Sequence, residues 1–434
     1  MEHPEVNAEE KIEKPVDKPL WNKNFFLLWQ GLLVSIIGDV FYGIALGFWI
    51  LEKTGSTALM GTLMAASTAP RVILSPLSGA VVDRSDRKWL LVLMDVIRGI
   101  AVLLVAAAAF GGFLEIWMVF AAGIIIGICS SFFGPAVNSS LPDIVPKAKI
   151  VKANSFFSMV YSISGIIGSP AGGFFFQLLG APVMFLINGC SYLFSALTEL
   201  FIKIPRIIRE KAQSDFVSDL KEGFKFTWEF RALRYLITVA AGLNFFAEMG
   251  IILLLPLFQK FEELGPGRYG IIMGIFTAGY FIGMLITSTK NIPASRRFDL
   301  FMGSSIVFSA LLTGIPLYLN LYYMGSLMLV AGAANALTNV FILSTLQLTI
   351  PQDKRGKVFG LISTFAAGLA PLAMATGGIL AEFIPIRIVI SSSFLLMGLI
   401  FVPLFFEPSV KRFICFDPDK DIIDELISTG RPAC

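Results

Sequence analysis

Residues 79–88 read Gly79-Ala80-Val81-Val82-Asp83-Arg84-Ser85-Asp86-Arg87-Lys88, a knot of charge between two apolar runs over 58–81 and 89–110. A run of ~20 apolar residues is long enough to cross a bilayer as a helix. Arg84, Arg87 and Lys88 cannot enter hydrocarbon, so the decapeptide is a short loop outside it. Basic loops stay on the cytoplasmic side, and this one therefore predicts the orientation of every other span.

The composition agrees. The 434 residues are 56% hydrophobic and 15% charged, with a mean hydropathy of +0.77, whereas soluble domains carry about 25% charged residues. The long unbroken runs fit an all-α polytopic membrane protein and not a β-barrel, whose strands are short and alternating. None of the four Cys forms a Cys-x-x-Cys pair, so neither a disulfide framework nor a zinc site is suggested. The single His, His3, stands in a polar leader. That excludes a His proton relay, a His-held metal and a Ser-His catalytic set. A Gly-x-x-x-x-Gly-Lys-[Ser/Thr] loop is missing, so ATP binding by that route is excluded. No cofactor, metal or nucleic-acid partner is expected, and any pumping draws on a gradient or on a partner.

Twelve spans are predicted, over 25–51, 58–81, 89–110, 116–138, 154–179, 182–203, 235–259, 267–290, 298–318, 322–347, 356–382 and 386–407. They divide the chain into a cytoplasmic leader (1–22), a six-helix bundle (23–203), a linker (204–233), a second six-helix bundle (234–407) and a tail (408–434). With both ends inside, only Lys53, Lys260, Arg268 and Arg387 face out and Arg71 and Arg98 lie within spans. About 28 of the 34 Lys and Arg are then cytoplasmic, as an even number of spans requires. In the linker, Val217, Leu220, Phe224 and Trp228 recur at helical spacing beside Lys221 and Lys225. This predicts an amphipathic helix, lying either on the anionic inner leaflet or on the protein's own cytoplasmic surface. Ile422, Ile423, Leu426 and Ile427 predict one amphipathic turn in an otherwise polar tail.

An internal repeat supports the division. Shifted by 205 residues, Leu141 meets Leu346, Pro146 meets Pro351, Ser158 meets Ser363, and Gly172-Gly173 meets Gly377-Gly378. A weak repeat at half the chain length marks duplicated bundles. Asp39 and Glu248, each midway along the first span of its bundle, are 209 residues apart, so they are near-equivalent. An ionised side chain at the membrane midplane costs at least ~2.5 kcal/mol, and two matched acids imply a polar cavity between the bundles. Burial favours the protonated form of a carboxyl, which suits proton exchange. The pair would couple protons or attract a cation. Arg71, on the neighbouring span, would either neutralise Asp39 or receive an anionic group. Around them Asp39 and Tyr42 share a helix face, as do Asn244 and Glu248, and Asn335 and Asn339. Tyr161 and Tyr280 would add aromatic surface, and such a cavity suits a bulky amphipathic ligand. Asn335 and Asn339 serve equally well as hydrogen-bonding glue between helices.

The 79–88 loop resembles the signature between spans 2 and 3 of the major facilitator superfamily, Gly-x-Leu-Ala-Asp-Arg-x-Gly-Arg-Lys. Gly79, Asp83, Arg84, Arg87 and Lys88 match, and Asp86 replaces the second Gly. That departure, with Thr54-Gly55-Ser56 after span 1, resembles the macrolide-efflux-like branch of the drug:proton antiporters. In span 5, Gly165, Ser169, Pro170 and Gly173 are similar to the family's antiporter motif, Gly-x-x-x-Gly-Pro-x-x-Gly, with Ser169 in place of one Gly. The resemblance implies a twelve-span major facilitator fold and a secondary transporter. Its task would be proton-coupled efflux of a small amphipathic compound by alternating access, acting as a monomer. It also implies that Asp83 latches onto the start of span 11 near Gly356. The family's span-4 Arg has no counterpart, since 127–136 carry no charge, so its wiring to Asp83 is not carried over. A lipid or siderophore exporter on the same fold, with Arg71 as ligand, and a non-transporting sensor or scaffold are the alternatives. An enzyme is not indicated.

Overall fold

The computed structural model describes residues 19–204, 224–261, 263–290, 292–350 and 355–418. In the first half, α1 (Lys23–Thr54), α2 (Thr57–Arg84), α3 (Arg87–Phe110) and α4 (Ile116–Ile144) lead to α5 (Ile150–Ile163). A π-helical turn (Ser164–Gly168) then joins α5 to α6 (Ser169–Glu199). The second half holds α7 (Arg231–Ile252), α8 (Leu254–Lys260), α9 (Gly265–Thr289), α10 (Ala294–Gly314) and α11 (Leu321–Thr349). It ends in α12 (Arg355–Gly368), α13 (Ala370–Phe383), α14 (Ile386–Phe405) and a short α15 (Pro408–Ile414).

Among the described residues, eleven stretches are long and apolar enough to cross a membrane, one of them 50 residues long (Ile150–Glu199). At 1.5 Å per residue that stretch would be about 75 Å long, far beyond a bilayer core of about 30 Å. It folds back at Gly180, whose φ of 72° only glycine adopts freely. α1 records the fold-back. Phe41 and Phe48 meet Phe175 and Phe176 on the first leg, while Gly31 and Gly38 meet Ser195 and Ser191 on the second. Twelve crossings result, as predicted.

The helix starts are locally encoded. Asn22, Ser56, Asp86 and Asn320 each cap a helix by accepting a backbone N–H, worth about 1 kcal/mol apiece. The loop 79–88 is shorter than it reads, because α2 runs through Arg84 and Asp86 opens α3 at once.

The buried core has a common stem and two arms. In the stem, apolar side chains of both halves pack together, among them Phe48, Leu63, Phe176, Leu255 and Phe258. One arm belongs to the first half alone (Phe25, Phe133, Phe157), the other to the second (Phe230, Phe301, Phe413). The arms lie toward the end carrying residues 84–88, the basic face. The stem lies toward the end carrying Gly55 and Gly180, the far face. The bundles are thus joined at the far face and parted toward the basic face.

Two glycine seams close the far side. Gly61 on α2 lies against Gly378 and the Met374 carbonyl on α13, and Gly270 on α9 against Ser169 and Pro170 on α6. An added Cβ on Gly61 would come 2.9 Å from Gly378 Cα, and one on Gly270 would come 3.1 Å from Pro170 Cα. Both approaches are backbone on backbone, which only small residues permit. The predicted antiporter-like motif, Gly165, Ser169, Pro170 and Gly173, is one side of the second seam, with Gly165 on Thr277 and Gly173 on Gly270. The π-turn just before Pro170 lets the helix absorb the missing backbone donor.

Two expectations need comment. The tail is not polar throughout: Val410, Phe413, Ile414 and Phe416 are buried against α7 and α10. Glu407 anchors this segment by bonding Ser409 and Arg231 (3.1 Å). Burial of Glu407 opposes ionisation, but these bonds outweigh it and hold its carboxyl below the usual range. Of the linker helix, Phe224 and Trp228 stack at 5.3 Å, while Val217, Leu220 and Lys221 lie outside the described residues, as do Ile422, Ile423, Leu426 and Ile427.

Replacing Gly61 or Gly270 by Val should cost about 1–3 kcal/mol through overpacking, read as a lower midpoint of thermal unfolding in detergent. Gly303→Ala, which enters open space, should leave the midpoint unchanged.

Candidate functional site

The stem and arms enclose a cavity of about 540 Å³ between the bundles. Ser67, Thr68 and Arg71 of α2 and Ile126, Gly127 and Ser130 of α4 line one side. Asn244 and Glu248 of α7, with Ala366, Ala367, Ala370 and Met374 of α12 and α13, line the other. Helix irregularity makes the room. The span formed by α12 and α13 breaks at Leu369, and the corresponding span in the first half carries the π-turn at Ser164–Gly168, the matching place at a shift of 205.

Arg71 and Glu248 therefore face one cavity from opposite bundles, and no ion pair within 4 Å engages either among the described residues. That a guanidinium faces Glu248 across the cavity was not legible from its own helix. Asn244, one turn away, donates to the Ala240 carbonyl at 2.8 Å and keeps its side-chain carbonyl available to the cavity.

Asp39 is corrected. It is not among the cavity-lining residues; it accepts a hydrogen bond from the Tyr192 hydroxyl inside the first bundle. Nor does it pair with Arg71. Behind Tyr192 lies a charge cluster that sequence reasoning missed. Arg98 pairs with Asp95 and is held between the Phe133 and Tyr192 rings, at 4.2 and 4.4 Å. Ser195 donates to Glu199 at 3.4 Å. Asp95, Arg98 and Glu199 are 0, 3 and 1% exposed, so this cluster is interior packing and not cavity wall. The available signal was the coincidence of three ionisable residues in spans 3 and 6, with none at matching places in the second half. At shifts of 205 and 209, Arg98 meets Gly303 and Val307, and Tyr192 meets Met397 and Phe401.

Tyr42 is also corrected, being buried against Phe185 in the same bundle. Tyr161 is 63% exposed, and neither it nor Tyr280 lines the cavity, whose wall is aliphatic and hydroxyl-bearing instead. Asn339 donates to Asn335 at 2.8 Å within α11, while the polar contact from α11 to α10 comes from Thr338 with Ser304 and Ser305. The gluing role thus falls to Thr338.

In the charged loop, Arg87 pairs with Asp143 and donates to the Ser139 carbonyl at 2.9 Å, tying α3 to the end of α4. Asp86 accepts from Trp89 N–H at 3.4 Å, and Lys88 lies 6.0 Å from the Trp89 ring. Gly79 and Arg84 are exposed. Asp83 is 62% exposed and 3.8 Å from Arg87. The side chains of residues 355–357, at the start of α12, are not described, so the expected latch near Gly356 has no described geometry.

A model of the Major Facilitator Superfamily matches residues 28–375. The chain belongs to the major facilitator superfamily. Its relatives include macrolide efflux protein A of Streptococcus pyogenes, 26% identical over 392 residues (88% of this chain, 94% of that protein). The multidrug efflux pump Tap of Mycobacterium bovis is 23% identical over 375 residues (82% and 87%). Among solved structures, an inward-facing bacterial homologue of the iron transporter ferroportin superposes with a TM-score of 0.69 at 16% identity, covering 88% of this chain and 98% of that one. Another, a bacterial homologue of the lysosomal transporter Spinster, gives 0.64 at 16% identity over 96% of this chain and 99% of that one. These likenesses establish the fold. The protein is a multi-pass membrane transporter of the secondary type.

The Arg98 cluster should behave as structure. Arg98→Leu would strand buried carboxylates and cost about 3–5 kcal/mol. Asp39→Asn would weaken one hydrogen bond and cost about 1 kcal/mol. Thermal unfolding of the purified variants should give the larger drop for Arg98→Leu.

Proposed function

We propose that this transporter exports a small amphipathic compound of the drug or macrolide kind, exchanging it for protons through alternating access. The observation that carries the reading is Glu248, a carboxyl that among the described residues has no ion pair, in a cavity between the bundles opposite the Arg71 guanidinium. A carboxyl in that position can hold either a proton or a cationic group of the substrate, but not both. Such exclusion is the minimal requirement for antiport. The aliphatic wall with Ser67, Thr68, Ser130 and Asn244 favours a flexible, hydroxyl-bearing amphipath over a planar dye, which would want rings to stack on. Two relatives, macrolide efflux protein A and the multidrug efflux pump Tap, are named for efflux, which points the same way.

By the charge bias of the loops, the basic face is cytoplasmic and both termini are inside. The cavity then opens inward, ready to load from the cytoplasm or the inner leaflet. Asp39, Asp95, Arg98 and Glu199 hold the first bundle together as a body that rocks as a unit. This leaves Glu248 as the acid of the cycle. A second reading rests on Arg71: exposed in the cavity without an ion pair among the described residues, it suits the anionic group of a lipid or siderophore.

In liposomes with an imposed pH gradient, Glu248→Gln should fold and bind but accumulate substrate no better than empty liposomes. Gradient-driven accumulation equal to the unmodified protein's would remove Glu248 from the coupling step. Loss of lysolipid transport in Arg71→Gln, with amine transport intact, would favour the second reading.

A further inference from the structure

The far face carries a contact that the cavity does not use. Glu382, in the last turn of α13, reaches across the bundle boundary to the first turn of α2. Its carboxylate accepts from the Ser56 hydroxyl at 2.6 Å and from the Ala58 N–H at 2.9 Å. Ser56 is itself the cap of α2, accepting from Leu59 N–H at 3.1 Å. Beside it the Thr57 hydroxyl donates to the Gly378 carbonyl at 2.9 Å. A carboxylate on unsatisfied N–H groups at a helix start is favoured by hydrogen bonding and by the helix dipole.

The duplicated half supplies the comparison. At a shift of 205, Glu382 corresponds to Gln177 on α6; at a shift of 209, Ala58 corresponds to Gly267 in the first turn of α9. Gln177 does stand there, its Oε1 2.6 Å from where a Cβ on Gly267 would be. The two seams are thus built alike, with a charged group over one helix start and a neutral amide over the other. Local packing alone is served by an amide, as the α9 side demonstrates. The charge on the α2 side adds attraction to one helix start and not to its twin.

Toward the basic face, the last turn of α2 carries Asp83. That carboxylate is 62% exposed while Glu382 is engaged. We propose that Glu382 is a gating residue of the transport cycle. Its carboxylate clasps the start of α2 in the state closed at the far face, and the clasp must part before the cavity opens there. This rests on the alternating-access reading above. Unlike the Gly61–Gly378 contact, which is steric and permanent in strength, the clasp can be broken without repacking any core, because Glu382 is exposed.

The test measures spin-label distances on full-length protein in nanodiscs, in a background with the native cysteines replaced by Ser. One pair, Phe113→Cys with Tyr318→Cys, spans the far face; a second, Val151→Cys with Lys290→Cys, spans the basic face. All four sites are exposed. Glu382→Gln should raise the long-distance population of the far-face pair about two- to fivefold, the size of a helix-terminus charge effect. Glu382→Ala should raise it more, and Gln177→Glu should lower it. The basic-face pair should shorten reciprocally, a change that mere loosening would not produce. Two populations whose proportions Glu382→Ala leaves alone would overturn the clasp. A single unchanging population in every variant, with and without a pH gradient, would instead overturn alternating access itself.

Discussion

The molecule hangs on two places where backbone meets backbone. At Gly61–Gly378 and at Gly173–Gly270 the bundles touch without side chains between them. Dispersion between atoms falls off within an ångström, so such contacts are either made in full or lost. An interface of this kind has discrete closed and open states and few intermediate ones. Because both seams lie toward the far face, closing them splays the opposite ends, and the core divides into separate arms. The cavity is the space left at the fork.

The duplication makes this economical. The partners within α2 and α9 are related by a shift of 209, those within α6 and α13 by 205. Thr57 and Gly61 therefore do for Gly378 what Pro266 and Gly270 do for Gly173. One contact used twice relates the halves by a two-fold axis, and on the proposed alternating-access reading, rocking about that axis would load both seams together. The π-turn before Pro170 and the break at Leu369 sit at matching places, so both lines of flexure also cross the cavity level.

Much of this was legible in the sequence because it is written in composition and period. Twelve spans and the repeat follow from apolar length and matched glycines. What failed was side-chain direction. Asp39 and Glu248 are equivalent by the repeat, and equivalence in sequence suggested equivalence in role. The surroundings differ, however. Asp39 has Tyr192, itself stacked on Arg98, behind it; Glu248 would have Met397 or Phe401 there, both buried and apolar. An acid turns toward whatever can hydrogen-bond it. One therefore turned inward and the other toward the cavity. Tyr42, Asn335 and Asn339 failed for a related reason: i,i+4 spacing identifies a shared helix face but not what that face meets.

That asymmetry carries the mechanistic argument one step further. A buried cluster in which Arg98 is paired with Asp95 and clamped between two rings is expensive to disturb, which makes the first bundle the stiffer body. The second half has no such cluster at the matching places, and its first span is interrupted at Leu253. Flexure should therefore concentrate on the side that carries Glu248. A carboxyl mounted on the more compliant wall of a cavity, facing a fixed guanidinium on the stiffer one, feels a distance that changes with the state of the seams. On the proposed antiport reading, the energy of its charge would then differ between those states, and that difference is the quantity on which a proton gradient would act.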